Sequence, residues 1–354
     1  MNTYIPEKIR CLTEYVPNEN EDKCVIRLDA NESPFRPSEK ILTQFGDKIK
    51  TLDINRYPDP YAKEAVKKFA DIHEITPENV IAGNGSDELI SIICNSFLSK
   101  DAKILCVFPD FSMYAFYSEM IEADIIRYDK PDNYKINFGE LSEIIKTSGI
   151  KLVILSNPCN PTGVAYDSGA IIDFVKNNDC LTVIDEAYMD YCIRDCSVLK
   201  EYKNHDNLII LKTMSKLGYA GLRIGFAIAG MPLIGALRKV KSPYNVNMAS
   251  QTLAGIVFDN YDEVKMNIAD IIKTREMLYA EISALKDKGG YEIQKPDGNF
   301  ISVFFKDEKQ AGVIHGNLLS TGISIRYMKP YRLRVTCGTY EETRKFIEEF
   351  KKLL

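Results

Sequence analysis

The chain has 354 residues, 45% of them hydrophobic and 27% charged, with a net charge of only −5. That makeup suits a globular protein large enough for a main domain and a smaller companion, and it excludes a surface built electrostatically for nucleic acid or an acidic membrane. No apolar run approaches the ~20 residues that span a bilayer. Nine cysteines, an odd number, and an N-terminus without the basic-then-apolar pattern of a secretory signal predict reduced thiols in a cytoplasmic protein. Cys192 and Cys196 have no cluster of further ligands beside them, and His73, His205 and His315 are scattered. The ligand spacing therefore predicts no metal.

In chain order, residues 1–45 are rich in Pro, Asn and Glu and lack sustained periodicity. They are predicted to join the small domain or to lie over a cleft. From about Lys103, short apolar runs alternate with longer amphipathic segments, the pattern of a mostly parallel sheet covered by helices. Strands are predicted over 103–109, 151–157, 181–188, 208–214 and 223–230, each apolar on both faces as a buried strand should be. Residues 168–178, with Ile171, Ile172, Phe174 and Val175 apolar, suit a helix laid on the sheet. After about Asn260 a charged helical stretch (262–286) leads to strand-like runs at 300–305 and 333–337 and a terminal amphipathic helix. The fold class predicted is α/β: a large domain over 46–260 with a mostly parallel sheet sandwiched by helices, and a small α+β domain over 261–354.

Four chemically different motifs fall near successive strand ends, where open α/β sheets bind ligands. Gly83-Asn84-Gly85-Ser86-Asp87-Glu88 follows an apolar run and opens a helix, so its glycines and N–H groups suit a phosphate. Taken alone, Ser86 or Asp87 is equally an ordinary N-cap. Asn157-Pro158-Cys159-Asn160-Pro161-Thr162-Gly163 ends a buried strand sharply and would present the Asn160 amide rigidly, although a single Asn-Pro step is usually a plain turn. Asp185-Glu186-Ala187-Tyr188 puts a carboxylate at the mouth of a buried strand, where it needs a partner. Thr213-Met214-Ser215-Lys216, followed by Gly221-Leu222-Arg223, places a lysine just past a strand among small residues. A lone lysine there is normally solvated. Four such motifs in order are not.

The ordered set NPxNPTG, DExY, SK and GLR resembles the fold-type I pyridoxal-phosphate aminotransferases, and within them the histidinol-phosphate aminotransferases, from about Leu28 to Thr339. The resemblance implies pyridoxal 5′-phosphate as cofactor. Lys216 would hold it as a Schiff base and then shuttle the substrate proton, and Asp185 would keep the pyridine nitrogen protonated so that the ring accepts electrons. Asn160 and Tyr188 would bond the ring hydroxyl. Ser86, Asp87, Ser215 and Arg223 would surround the phosphate, and Phe111, in Pro109-Asp110-Phe111, would stack on the ring. The lysine must be neutral to react, for which burial and a neighbouring cation such as Arg223 are the physical means. Two departures stand out. Lys216 and Arg223 are one residue closer than in many members, and position 159 is Cys where the family often has Asn.

Three further stretches bear on the substrate. Leu28-Asp29-Ala30-Asn31-Glu32-Ser33-Pro34 resembles the segment that closes over the active site in histidinol-phosphate aminotransferases, and Arg56-Tyr57-Pro58-Asp59 the loop whose tyrosine reaches the cofactor phosphate of a neighbouring subunit. The latter implies a homodimer with a shared site. Arg326 and Arg334 match the arginines that bind substrate anions, and a guanidinium fork takes carboxylate or phosphate alike. Arg332 reads as a solvated neighbour. The implied reaction exchanges an amino group between L-histidinol phosphate and 2-oxoglutarate, with Asn31, Tyr15, Asn160 and both arginines as substrate contacts. Residues near Tyr15 and Tyr114 are candidates for the imidazole. The alternatives are an aromatic or broad-specificity aminotransferase, a threonine-phosphate decarboxylase, and a non-catalytic cofactor-binding sensor, against which the lack of a DNA-binding appendage speaks.

Overall fold

The computed structural model describes residues 4–12, 24–131, 134–329 and 331–354. Tyr15 lies outside the described residues. Twelve strands occur among them: β1 (Ile26–Leu28), β2 (Val80–Gly83), β3 (Lys103–Phe108), β4 (Asp124–Asp129), β5 (Leu152–Ser156), β6 (Leu181–Asp185), β7 (Leu208–Thr213), β8 (Gly225–Ala229), β9 (Tyr291–Ile293), β10 (Phe300–Phe305), β11 (Ile323–Met328) and β12 (Arg332–Thr336). They form two sheets, a seven-stranded one in the order β2-β8-β7-β6-β5-β3-β4 and a five-stranded one in the order β1-β11-β12-β10-β9.

In the large sheet β7, β6, β5, β3 and β4 run parallel, and β8 is antiparallel to both its neighbours. Alternation along each strand divides the apolar residues between two helical layers. Ile104, Ile154, Val183 and Leu211 pack with residues of the helices Ser86–Phe97 and Met231–Val240. Leu105, Val153, Ile184 and Ile210 pack with the helices Lys63–His73, Phe138–Ser148, Ser168–Lys176 and Met248–Asp259. Every residue of β5 and β8 is buried, which is why both read as unbroken apolar runs. The sequence reading missed β4, an edge strand whose run DIIRYD buries only Tyr128 fully. A strand with one wet side carries charges and loses the apolar signature.

The small sheet is antiparallel except where β1 joins it, parallel to β11 in the register Ile26 to Ile323 and Leu28 to Ile325. The helices Tyr261–Ser283, Glu308–Ser320 and Tyr340–Lys352 pack behind it. The last begins with a reciprocal cap in which Thr339 and Glu342 satisfy each other's backbone N–H groups. After β1 the chain crosses to the large sheet's helices: Glu39–Ile49 packs on Met248–Asp259, and Asn260 Nδ2 donates to Gln44 Oε1 at 2.8 Å. The cross-strand neighbours Phe300–Thr336, Ser302–Arg334 and Phe304–Arg332 place these six side chains on one face. Ser302 Oγ bonds to Pro161 O, so that face meets the strand-end loops of the large sheet.

Candidate active site

Because successive strand residues point to opposite sides, the Asp185-Glu186 pair at the end of β6 divides its two carboxylates. Asp185 faces the layer that carries Tyr114, whose hydroxyl donates to Asp185 Oδ2 at 2.8 Å, while Ala187 N–H donates to Oδ1 at 3.0 Å. Burial pushes the Asp185 carboxyl up to about 6 in spite of those two donors. A cation beside it would favour the ionised form. Glu186 points the other way, bonded by Ser197 Oγ and by Val198 N–H at 2.7 Å, with Lys212 Nζ 3.8 Å off. Lys212 also lies 3.2 Å from Asp190, a buried ionic layer that ties the ends of β6 and β7 together from behind.

Lys216 follows β7 in a short 3₁₀ turn that opens with Thr213, whose hydroxyl accepts from Ser215 N–H. Its Nζ lies 3.1 Å from Ala30 O and 5.8 Å from the centre of the Tyr188 ring. The Tyr188 hydroxyl accepts from Asn31 Nδ2 at 3.1 Å. Asn31 is itself fully buried, held by Thr336 and Asn299, and sits in the left-handed region at φ 54°. Asn is one of the few non-glycine residues that take this conformation at little cost.

A cradle forms beside this group at the start of the helix Ser86–Phe97. Gly85 has φ 86°, and a Cβ there would stand 2.8 Å from Arg223 Nη2; a Cβ on Gly225 would meet Ser86 N at 2.7 Å. Only glycine permits this approach of strand β8 to the helix start. Arg223 reaches Asp87 Oδ2 at 3.3 Å and Ser215 Oγ at 3.4 Å. The loop between Lys216 and Arg223 contains a 3₁₀ turn over Ala220–Leu222 and ends on a left-handed Arg223, whose guanidinium reaches both Asp87 and Ser215.

On the facing sheet Arg334 is buried, its Nη1 donating to Asn160 Oδ1 at 2.7 Å and its Nη2 to Asp29 O at 2.6 Å. Arg326 is its cross-strand neighbour on β11. Arg332 departs from the solvated role expected of it. It is half-buried, with its guanidinium 4.8 Å from the centre of the Phe304 ring and 5.4 Å from that of Tyr134. Tyr114, near which imidazole candidates are expected, is itself 3% exposed with its hydroxyl bonded to Asp185.

Phe111 packs edge-on to Tyr114 at 5.5 Å, which joins it to the Asp185 side of the group. Its position is held by a residue the sequence reading passed over. The buried Asp110 carboxylate accepts from Phe111 N–H at 2.7 Å and from Ser156 Oγ, which in turn accepts from Asn160 N–H at 3.0 Å. Lys130, from the end of β4, stands 4.0 Å from Asp110 and 3.0 Å from Cys159 Sγ. Cys159 is thus a buried partner of Lys130. Tyr57 lies elsewhere, 78% exposed and stacked on Tyr244 at 4.5 Å. Their groove, with Ile54, Pro58 and Met248, encloses about 750 Å³. It adjoins the cradle helix, because Asn245 next to Tyr244 bonds Glu88 at 2.6 Å.

A lysine amine, a buried carboxylate whose ionised form a cation would favour and a glycine-opened cradle with an arginine beside it fit pyridoxal phosphate part by part. Fold and site define a pyridoxal-phosphate-dependent enzyme of fold type I. The chain belongs to the aminotransferase class I and II family, whose profile matches residues 23–350. A histidinol-phosphate aminotransferase of Clostridium novyi (strain NT) is 36% identical over 335 residues, covering 93% of this chain and 92% of its own length. Among solved structures, the histidinol-phosphate aminotransferase from Sinorhizobium meliloti in complex with pyridoxal-5′-phosphate superposes with a TM-score of 0.89 at 22% identity, covering 99% of each chain. The L-threonine-O-3-phosphate decarboxylase from Porphyromonas gingivalis has a TM-score of 0.79 at 18% identity, covering 93% of this chain and 99% of its own, so the fold alone does not choose the reaction.

Proposed function

We propose that this chain is a histidinol-phosphate aminotransferase, exchanging an amino group between L-histidinol phosphate and 2-oxoglutarate to give imidazole acetol phosphate and glutamate in histidine biosynthesis. The observation that carries the reading is the pair Arg326 and Arg334, directly opposite on β11 and β12, with Arg334 bonded to Asn160. Two guanidinium groups on one face serve a phosphate in one half-reaction and carboxylates in the other. The 36% identity to the Clostridium novyi enzyme supports the same choice.

When bound, pyridoxal phosphate supplies an aldehyde for the amine and a protonated ring that takes up the electron pair left at Cα. Lys216 Nζ would hold the aldehyde carbon and, once released, would be the base that moves the substrate's Cα proton. Asp185 would keep the ring nitrogen protonated. Asn160 and Tyr188 would bond the ring hydroxyl, the latter oriented by Asn31. Ser86, Asp87, Ser215 and Arg223 would hold the phosphate, and Phe111 would cover the ring. Asn31 and Asn160 also orient the substrate beside the arginines.

The working unit proposed is a homodimer in which Tyr57 reaches the partner's cofactor phosphate; its exposure beside the apolar residues of that groove supports this. Residues 46–260 are proposed as the large domain, with 1–45 and 261–354 as the small one; the pairing of β1 with β11 supports the grouping for the residues up to β1, whereas the helix Glu39–Ile49 straddles the boundary and packs with the large domain's Met248–Asp259. A cytoplasmic setting is proposed on the odd number of cysteines, nine. No helix among the described residues is long and apolar enough to cross a membrane.

The deciding experiment mixes the cofactor-loaded protein in turn with histidinol phosphate, glutamate, aromatic amino acids and threonine phosphate, following absorbance. Fast conversion to the amine form by histidinol phosphate and glutamate is expected. Preference for an aromatic donor, CO2 release from threonine phosphate, or a spectrum unchanged by every donor overturns the assignment.

A further inference from the structure

The hydroxyl of Tyr114 is placed to act on the chemistry through Asp185. It donates to Asp185 Oδ2 at 2.8 Å from a ring that is 3% exposed. The ring is fixed on two sides, edge-on to Phe111 at 5.5 Å and through its own carbonyl, which accepts from Ser118 Oγ at 2.8 Å. Asp185 Oδ1 is occupied by Ala187 N–H, so each carboxylate oxygen receives one protein donor and keeps a further lone-pair direction for a ligand. Burial and the negative charge of Asp185 hold the Tyr114 phenol well above its ordinary range, so it remains a donor at every working pH.

We propose that Tyr114 is a positioning residue that decides, through Asp185, where the proton between that carboxylate and the cofactor's ring nitrogen resides. The inference rests on the reading of Asp185 as the partner of the ring nitrogen. Two arrangements of that proton compete: carboxylate with protonated ring, and neutral carboxylic acid with neutral ring. Burial favours the neutral pair, because neither group is then charged in a low-dielectric site. A donor aimed at the carboxylate favours the charged pair, because hydrogen bonds to an ionised acceptor are about twice as strong as those to a neutral one. Asp185 is heavily desolvated, and nearby Asp110 and Asp87 also raise its proton affinity. The phenol is the side-chain group that opposes them, and the ring is a strong electron sink only in the charged pair.

Tyr114→Phe keeps the ring, its burial and its contact with Phe111 while deleting the donor. Wild type, Tyr114→Phe and Asp185→Asn are loaded with pyridoxal phosphate carrying ¹⁵N in the ring, and the nitrogen resonance is read by NMR beside steady-state kinetics. In Tyr114→Phe the resonance should move towards the neutral-pyridine position, in the direction taken by Asp185→Asn but less far. Its kcat should fall about 10- to 100-fold, the worth of one hydrogen bond to a charged group, with KM for glutamate changed by no more than a few-fold. A merely structural role would lower stability or cofactor affinity and leave the resonance in place. A wild-type resonance in Tyr114→Phe, with Asp185→Asn displaced, overturns the proposal alone. An undisplaced resonance in Asp185→Asn overturns the reading of Asp185, and the proposal with it.

Discussion

Asn31 donates its side-chain amide to the Tyr188 hydroxyl across 3.1 Å, joining a residue just past β1 to one just past β6. The same asparagine is gripped by Thr336 at the end of β12 and by Asn299 at the start of β10. One residue thus connects the small sheet, which brings Arg326 and Arg334, to the large sheet, which brings Asp185 and Lys216.

Asn31→Gly preserves the left-handed backbone and removes the amide, so it isolates the side chain's contribution. Losing the bond that orients Tyr188 should cost roughly 1 to 1.5 kcal/mol, or about tenfold in kcat/KM for histidinol phosphate and glutamate alike. Steady-state kinetics checks this; unchanged values would reduce the link to packing.

The cofactor-free protein should lose stability as pH rises past the Asp185 titration. Its folded carboxyl titrates at about 6, above the ordinary 3.8. The folded state therefore holds the proton more tightly than the unfolded one, an advantage present below about pH 4 and lost by about pH 7. A shift of ~2 units corresponds to roughly 3 kcal/mol. Asp185→Asn should therefore unfold at higher denaturant than wild type at pH 8 and at nearly the same concentration near pH 4, both without cofactor. A stability difference independent of pH would disprove the linkage. With cofactor bound, Asp185→Asn should keep the fold and lose nearly all turnover.

How much of this was legible in sequence depended on where the stabilising contacts come from. Strands β5 to β8 announce themselves because both faces are buried, and their ends carry the motifs with Asn160, Asp185 and Lys216. Strand β1 is three residues long and is held only by pairing with β11, nearly the whole chain away, so no local pattern marks it. Tyr114 and Asp110 escaped for the same reason. Their partners, Asp185 and Ser156, meet them only after parallel strands pair, and neither Tyr114 nor Asp110 lies in one of the four strand-end motifs. The one clue was position: both flank Phe111, Tyr114 one helical turn after it. Arg332 was misread because the alternation of β12 puts it on the same face as Arg334, where Phe304 receives its guanidinium.

Lys216 should be the cofactor's attachment point. Borohydride reduction followed by peptide mapping should place the pyridoxyl label on the Met214-Ser215-Lys216 segment, and Lys216→Ala should bind cofactor and substrate yet turn over slower by orders of magnitude, having lost both nucleophile and proton shuttle. A label on Lys212, the nearby buried lysine at the end of β7, would contradict the geometry, since Lys212 is committed to Asp190 and Glu186 on the opposite side.

Tyr57 should act across a subunit boundary. Within its own chain it stacks on Tyr244 at the surface. An inactive Tyr57 variant mixed with an inactive Lys216 variant should regain activity, because one of the two hybrid sites then contains both native residues. A fully active monomer, seen by sedimentation at assay concentration, would rule this out.

Arg334 should serve both substrates, and its loss should not discriminate between them. Its guanidinium is buried, donates to Asn160 Oδ1 and to Asp29 O, and lies opposite Arg326 across β11 and β12. Those bonds fix its plane, so an arriving anion meets a fork already oriented and spends little entropy in ordering it. Deleting a charge-assisted contact in a partly desolvated cleft costs roughly 2 to 4 kcal/mol, or about 30- to 1000-fold in kcat/KM. Arg334→Lys should recover little of this, because an ammonium cannot hold Asn160 and bind an anion bidentately at once. Arg334→Ala should therefore depress kcat/KM for histidinol phosphate and for glutamate by similar factors. A loss confined to glutamate would mean that the phosphate is bound elsewhere, with Arg326 the first alternative to substitute.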